Sequence, residues 1–426
     1  MHRMIHAIKP LFTPLMGNTH AALLPRSTFW FGVLFIYFLC SQLLTSATAV
    51  YNIGFYALVL PSFLYAVIRQ PSLIRAVPCT IGAIGVAGFL LFVALHALIG
   101  QFADQSIGKI LLGVVFTGIF MLMSTSFFAE RHFDSLAPLR CFMLVVIIMA
   151  PISYGLYWLN PITEYFLPIG RARNPIPIGN LYAIAAVIAT WLFFQPGTSK
   201  RWKMLALYCI ATVVITIIAT TQRGPLLALI VASGAGLVCM HQWKWVALGG
   251  VSALIFGGDY AYYTFYGHSL MQLDALDAAI HHFLTSRDSY RPEIWQHAFA
   301  SIAERPWLGY GMQANFSLAG VPGAVNPHNV FISTLYYTGF VGLLLLLLPL
   351  IAAFYYSLRA RHEPYHQLCL MLLVHAVVAT STNYGQVAKE AAPLWTIYWL
   401  PLAMVFARAL PPTLGQQKRP RIPPRP

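Results

Sequence analysis

Residues 329–357 read NVFISTLYYTGFVGLLLLLLPLIAAFYYS, without one charged side chain. A helix that crosses the hydrocarbon core of a bilayer needs about 20 consecutive apolar residues, so this stretch is long enough to span. The polar segment 261–328 before it sets its start sharply. Applied to the rest of the chain, the same window gives spans at 29–48, 52–68, 77–99, 107–128, 139–158, 178–196, 202–220, 224–241 and 243–260, and after it at 365–384 and 391–410. The predicted fold is all-α and polytopic, with about twelve transmembrane helices.

The composition agrees. Hydrophobic residues make up 58% of the 426, and charged residues only 9%, against roughly 25% charged in a soluble domain. Disordered chains are charge-rich and aromatic-poor, which 14% aromatic residues exclude. The net charge of +14 does not follow from a membrane fold as such. Nucleic acid, anionic lipid, an anionic substrate and topology are the readings it leaves open.

Topology accounts for most of it. Cytoplasmic loops of membrane proteins carry an excess of Lys and Arg. With the N-terminus inside, the inner side collects Arg3, Lys9, Arg26, Arg69, Arg75, Arg131, Arg140, Lys200, Arg201, Lys203, Lys244, Arg359, Arg361, Arg408, Lys418, Arg419, Arg421 and Arg425. These eighteen face Glu130, Asp134 and Glu363, so the inner side holds the positive excess and the outer side is close to neutral. No nucleic-acid partner is needed to explain the charge. The predicted organisation is a cytoplasmic segment 1–28, nine spans within 29–260, an outer loop domain 261–328 with amphipathic helices (269–285 among them), three spans within 329–410, and a basic, Pro-rich cytoplasmic tail 411–426 in contact with membrane lipids. All six cysteines are placed within spans without CxxC or metal-ligand spacing, so neither disulfide nor metal site is expected.

Eight basic residues go against this bias: Lys109, Arg171, Arg173, Arg223, Arg287, Arg291, Arg305 and Lys389. Guanidinium groups stay charged when partly buried and grip phosphate in a fixed fork. Arg223 lies in the very short turn Thr220-Thr221-Gln222-Arg223-Gly224-Pro225, and is either a snorkelling interfacial residue or a functional juxtamembrane charge. Arg287 and Arg291 stand at the entrance of a helix predicted to follow Ser289 or Tyr290 and to run to about Glu304, with Pro292 and Glu293 in its first turn and an apolar face of Trp295, Phe299 and Ile302. A helix N-terminus with two cations favours phosphate. The alternatives are ordinary surface pairs, Arg287–Asp288 and Arg291–Glu293. Arg171 and Arg173 form a second basic pair that suits an anion or a lipid headgroup equally. After Gly309-Tyr310-Gly311 and Pro322-Gly323, the sequence Asn326-Pro327-His328-Asn329 delivers His328 to the mouth of the tenth span. An imidazole there is either a general base or a capping and packing residue.

Taken together, Thr221-Gln222-Arg223-Gly224, Arg287 through Trp295, Gly309-Tyr310-Gly311, Pro327-His328-Asn329 and Gly339-Phe340-Val341-Gly342 resemble the O-antigen ligase family of the O-antigen ligase/polymerase superfamily. Thr221-Gln222 departs from the Ser-rich version of that motif but keeps the arginine. The resemblance implies a GT-C-like glycosyltransferase of the bacterial inner membrane, with both termini cytoplasmic. It would act at the periplasmic face in lipopolysaccharide biosynthesis, without metal or cofactor and with inversion. The donor would be O-antigen polysaccharide on undecaprenyl diphosphate, and the acceptor lipid A-core. Carried over by motif, Arg223 and Arg291 hold the diphosphate and His328 activates the acceptor hydroxyl. Arg287, Arg171, Arg173 and Asn329 are further donor-binding candidates, and Lys389 and Glu390 are candidates by position. The rivals are an O-antigen polymerase, a protein O-oligosaccharyltransferase and, in a different class, a lipid-linked oligosaccharide flippase.

Overall fold

The computed structural model describes residues 26–44, 48–75, 77–99, 107–130, 134–159, 175–219, 222–268, 271–272, 278, 280–281, 290–321, 324–385, 388 and 393–409. Within these residues the regular structure is helical throughout, without a β-strand. In chain order the helices are α1 (Arg26–Leu44), α2 (Thr48–Ile53), α3 (Leu60–Arg69), α4 (Ser72–Arg75), α5 (Ile81–Ile99), α6 (Ile107–Ala129), α7 (Ala137–Leu159), α8 (Pro175–Phe194), α9 (Lys200–Ala219), α10 (Arg223–Cys239), α11 (Trp243–Tyr266), α12 (Arg291–Glu304), α13 (Val330–Arg359), α14 (Pro364–Asn383) and α15 (Leu400–Ala407). Two π-helical stretches, Gly54–Val59 and Trp395–Trp399, join α2 to α3 and lead into α15.

Each of the twelve apolar stretches falls on helix. Nine candidate spans among the described residues are long and apolar enough to cross a membrane. The other three regions differ for local reasons. Helix α10 and the Trp395–Ala407 segment are shorter. Helix α11 is 24 residues long but includes Lys244, Asp259 and four glycines. One boundary needs correcting. The expected span 77–99 includes Cys79, but α5 starts at Ile81, after Thr80 Oγ1 accepts the Ala83 N–H (3.0 Å) as a helix-starting cap. Cys79 is left exposed ahead of it. The segment 1–25 and the tail 410–426 lie outside the described residues, as does most of 269–285.

Two packing features position the functional end of the bundle. The first is the antiparallel contact of α10 with α14. Small residues recur every fourth position along α10, at Gly224, Ala228, Ala232 and Gly236, which places them on one face. Such stripes let helix backbones approach closely in a membrane, where packing rather than hydrophobicity drives association. A Cβ on Gly236 would overlap the Met371 side chain of α14, and one on Gly224 would overlap Asn383 Nδ2 and lie 2.8 Å from Thr382 Oγ1. The N-terminus of α10 is thereby pinned to the C-terminus of α14.

The second feature is a break in α13 at Gly339, whose backbone (φ 64°, ψ −167°) is not helical. In an unbroken helix the Tyr336 and Tyr337 carbonyls would accept from the N–H groups of Phe340 and Val341. Here they accept from Tyr310 and Gly311 instead (both 2.9 Å), while Phe340 and Val341 donate to Pro306 (2.8 Å) and Trp307 (3.3 Å). Two chain segments thus exchange acceptors across the break. Each carries a glycine with positive φ at the crossing, Gly309 at 68° and Gly339 at 64°. A Cβ on Gly309 would sit 2.5 Å from the Tyr336 carbonyl oxygen, and one on Gly339 would overlap the Trp307 carbonyl group. The exchange leaves these backbone groups satisfied, as a break in an apolar helix requires. It also fixes the loop that follows α12 to the first part of α13.

Candidate functional site

Three of the motifs singled out in the sequence meet at one end of the bundle. Gln222, buried and extended, precedes α10, so the half-buried Arg223 is the first residue of that helix. Pro225 packs on α8, where a Cβ on Gly179 would lie 3.0 Å from Pro225 Cγ. Arg223 therefore sits where α8, α10 and α14 converge, beside the positive end of the α10 dipole.

Helix α12 begins at Arg291, as the sequence predicts, with Pro292 and Glu293 in its first turn. Its buried face overlaps the expected one at Ile302 and, in part, Trp295, but is rotated away from Phe299. Ile294, Ala298 and Ile302 turn inward, at a spacing of four, whereas Phe299 is 51% exposed. Trp295 is used for something more specific. Its indole Nε1 donates to the Pro327 carbonyl (2.9 Å), immediately before His328. Arg291 and Trp295, four apart, share one side of α12, so the helix that presents the arginine also holds the histidine loop.

Arg291 is half-buried, and its Nη2 donates to Asn383 Oδ1 (2.9 Å), 92 residues away at the end of α14. That neutral oxygen, rather than Glu293, is its partner. Burial, and secondly the positive charge of Arg223, push the Arg291 pKa below the ordinary guanidinium value. Asn383, which bonds Arg291 and packs on Gly224, brings the two helix starts that carry these arginines together. Two cations held together and partly desolvated oppose one another, and an anion placed between them relieves both penalties.

His328 is held in the left-handed region (φ 52°), uncommon for a residue with a side chain. Two asparagines enforce this. Asn326 Oδ1 accepts the His328 N–H (2.8 Å), and Asn329 Oδ1 accepts the N–H groups of Phe331 (2.9 Å) and Ile332 (3.1 Å), capping α13. Asn326 in turn packs on Gly385, where a Cβ would lie 2.9 Å from its Cγ. The capping reading proposed for His328 belongs to its neighbour Asn329. Tyr290, before Arg291, is also left-handed (φ 44°). Strained backbone of this kind gathers at functional sites.

The segment Thr382-Asn383-Tyr384-Gly385 ties these parts together and was not singled out in the sequence. Asn383 touches Arg291 and the Gly224 turn, Gly385 touches Asn326, and the Tyr384 hydroxyl accepts from Asn180 Nδ2 of α8 (3.4 Å). The readable signal was the run Thr380-Ser381-Thr382-Asn383, four polar residues closing an apolar span. Arg287, Arg171, Arg173, Lys389 and Glu390 lie outside the described residues. Among the described residues, no three His, Cys, Asp or Glu side chains gather as metal ligands would.

Comparison with known proteins meets this geometry in the same part of the chain. Residues 207–347 match the O-antigen ligase family. The matched region contains Arg223, Arg291 and His328, and ends just beyond the α13 break. Over 378 residues, the chain is 28% identical to an O-antigen ligase of Pseudomonas aeruginosa, covering 84% of this chain and 85% of that relative. The resemblance to the O-antigen ligase family, first carried by scattered short motifs, therefore holds along most of the chain. Asn383 and Gly385 fall outside the matched region, within a part of the fold that motif reading does not reach.

Proposed function

We propose that this membrane protein is an O-antigen ligase. It transfers O-antigen polysaccharide from undecaprenyl diphosphate to a sugar hydroxyl of lipid A-core, at the periplasmic face of the bacterial inner membrane. The observation that carries the reading is the convergence of Arg291 and the Arg223 helix start on Asn383, with Arg291 on an element that also holds the loop of His328 through Trp295.

In the proposed reaction the acceptor hydroxyl attacks the anomeric carbon of the donor sugar. The bond from that carbon to the diphosphate oxygen breaks, and the hydroxyl proton passes to His328. Negative charge grows on the departing undecaprenyl diphosphate, where two fixed guanidinium groups stabilise it most as it forms. A base on the face opposite the leaving group gives inversion. Arg287, Arg171 and Arg173 extend the donor-binding surface. Asn329 is a further proposed donor contact, and its side-chain oxygen also caps α13. The outer loop domain 261–328 lies in the periplasm and both termini in the cytoplasm, an orientation supported by the charge asymmetry of the loops.

The test is incubation of purified protein with lipid-linked O-antigen and lipid A-core. A modified core is expected, with or without chelator. Longer glycans still on undecaprenyl diphosphate, with an unmodified core, would assign a polymerase instead. A glycosylated protein product would assign a protein O-oligosaccharyltransferase.

A further inference from the structure

We infer that Asn383 is a positioning residue of the donor site, one that orients Arg291 without neutralising it. The inference rests on the diphosphate reading above and adds to it a residue outside the recognised motifs. The side chain of Asn383 is enclosed on two sides. Its Oδ1 accepts from Arg291 Nη2 (2.9 Å), its Nδ2 donates to Thr382 Oγ1 (2.8 Å), and the absent side chain of Gly224 leaves the space it fills. The amide thus stands between the helix that starts at Arg223 and the helix that starts at Arg291, and fixes the direction of the second guanidinium relative to the first.

The chemical choice is informative. A carboxylate is the stronger partner for a half-buried guanidinium, because charge-assisted hydrogen bonds are about twice as strong as neutral ones. Were the contact only structural, aspartate would hold it better. An amide accepts the same hydrogen bond and leaves the positive charge of Arg291 for another anion. Gly224 completes the arrangement, because any side chain there would displace the amide.

This separates stability from binding. Asn383→Asp is expected to hold thermal stability, the charged bond to Arg291 offsetting the lost donor to Thr382 Oγ1. It should raise the KM for lipid-linked donor, and the inhibition constant of inorganic pyrophosphate, by about tenfold, the scale of one charged hydrogen bond, with the acceptor KM unmoved. Asn383→Gln, which keeps the amide on a longer arm, should recover part of the donor affinity that Asn383→Ala loses. Asn383→Asp with wild-type pyrophosphate inhibition and donor KM would overturn the inference. So would a parallel loss of stability and activity in the aspartate variant. If pyrophosphate fails to inhibit the wild-type protein and Arg223→Ala leaves the donor KM unchanged, the diphosphate reading falls and takes this inference with it.

Discussion

Replacing Gly339 with alanine probes the crossing of α13 and the loop after α12. Its backbone (φ 64°, ψ −167°) lies in a region open essentially to glycine, costing a side-chain residue about 1–3 kcal/mol. The added Cβ would overlap the Trp307 carbonyl group and lie 2.5 Å from Leu308 N. These are backbone atoms held by the four exchanged hydrogen bonds, so they cannot swing aside as a side-chain end can. Forced overpacking costs about 1–3 kcal/mol more, giving a destabilisation of about 2–6 kcal/mol. Two controls separate the contributions. Gly311 has φ 96° with open space around it, so Gly311→Ala carries backbone strain alone. Gly88 is helical with open space, so Gly88→Ala carries neither. The assay is the temperature at which detergent-solubilised protein loses half its folded fraction, expected to fall in the order Gly88→Ala, Gly311→Ala, Gly339→Ala. A Gly339→Ala protein as stable as Gly88→Ala would refute the crossing as the structural tie between the loop and α13.

Other substitutions address the site. Trp295→Phe keeps the ring but removes the donor to Pro327, so turnover should fall about tenfold while membrane insertion and donor KM hold; unchanged turnover would detach Trp295 from the placement of His328. Asn329→Ala should cost about 1 kcal/mol as a lost cap, and Asn329→Asp should restore stability and activity together. Stability restored by the aspartate without activity would assign the Asn329 amide to donor binding. His328→Ala should abolish ligation while leaving the affinity for undecaprenyl diphosphate in nanodiscs intact, and near-normal ligation would remove it from the mechanism.

The membrane fold was readable because its cause is local. Each span is a long stretch of mostly apolar residues, and a helix there needs no distant partner to form. The N-terminus of α12 was equally legible, from Pro292 and Glu293 following Arg291. What sequence periodicity could not resolve was which side of α12 turns inward. Trp295 and Phe299 are apolar enough for either face, and the burial of Ile294, Ala298 and Ile302 shows which one turns inward. The motifs gave Arg223, Arg291 and His328 as separate candidates. Asn383 and the exchange at Gly309 and Gly339 stayed hidden, because both depend on pairings far apart in the chain. Each is a single polar residue or glycine until its partner is known.

The central claim is that Arg223 and Arg291 serve one anion, and a double-mutant cycle on donor binding tests it most directly. Arg223→Ala, Arg291→Ala and the double variant would each be measured for affinity toward undecaprenyl diphosphate in nanodiscs. A shared diphosphate predicts strongly non-additive losses, with a coupling of at least about 1 kcal/mol. Losses that simply add, or binding unaffected by either substitution, would contradict the account.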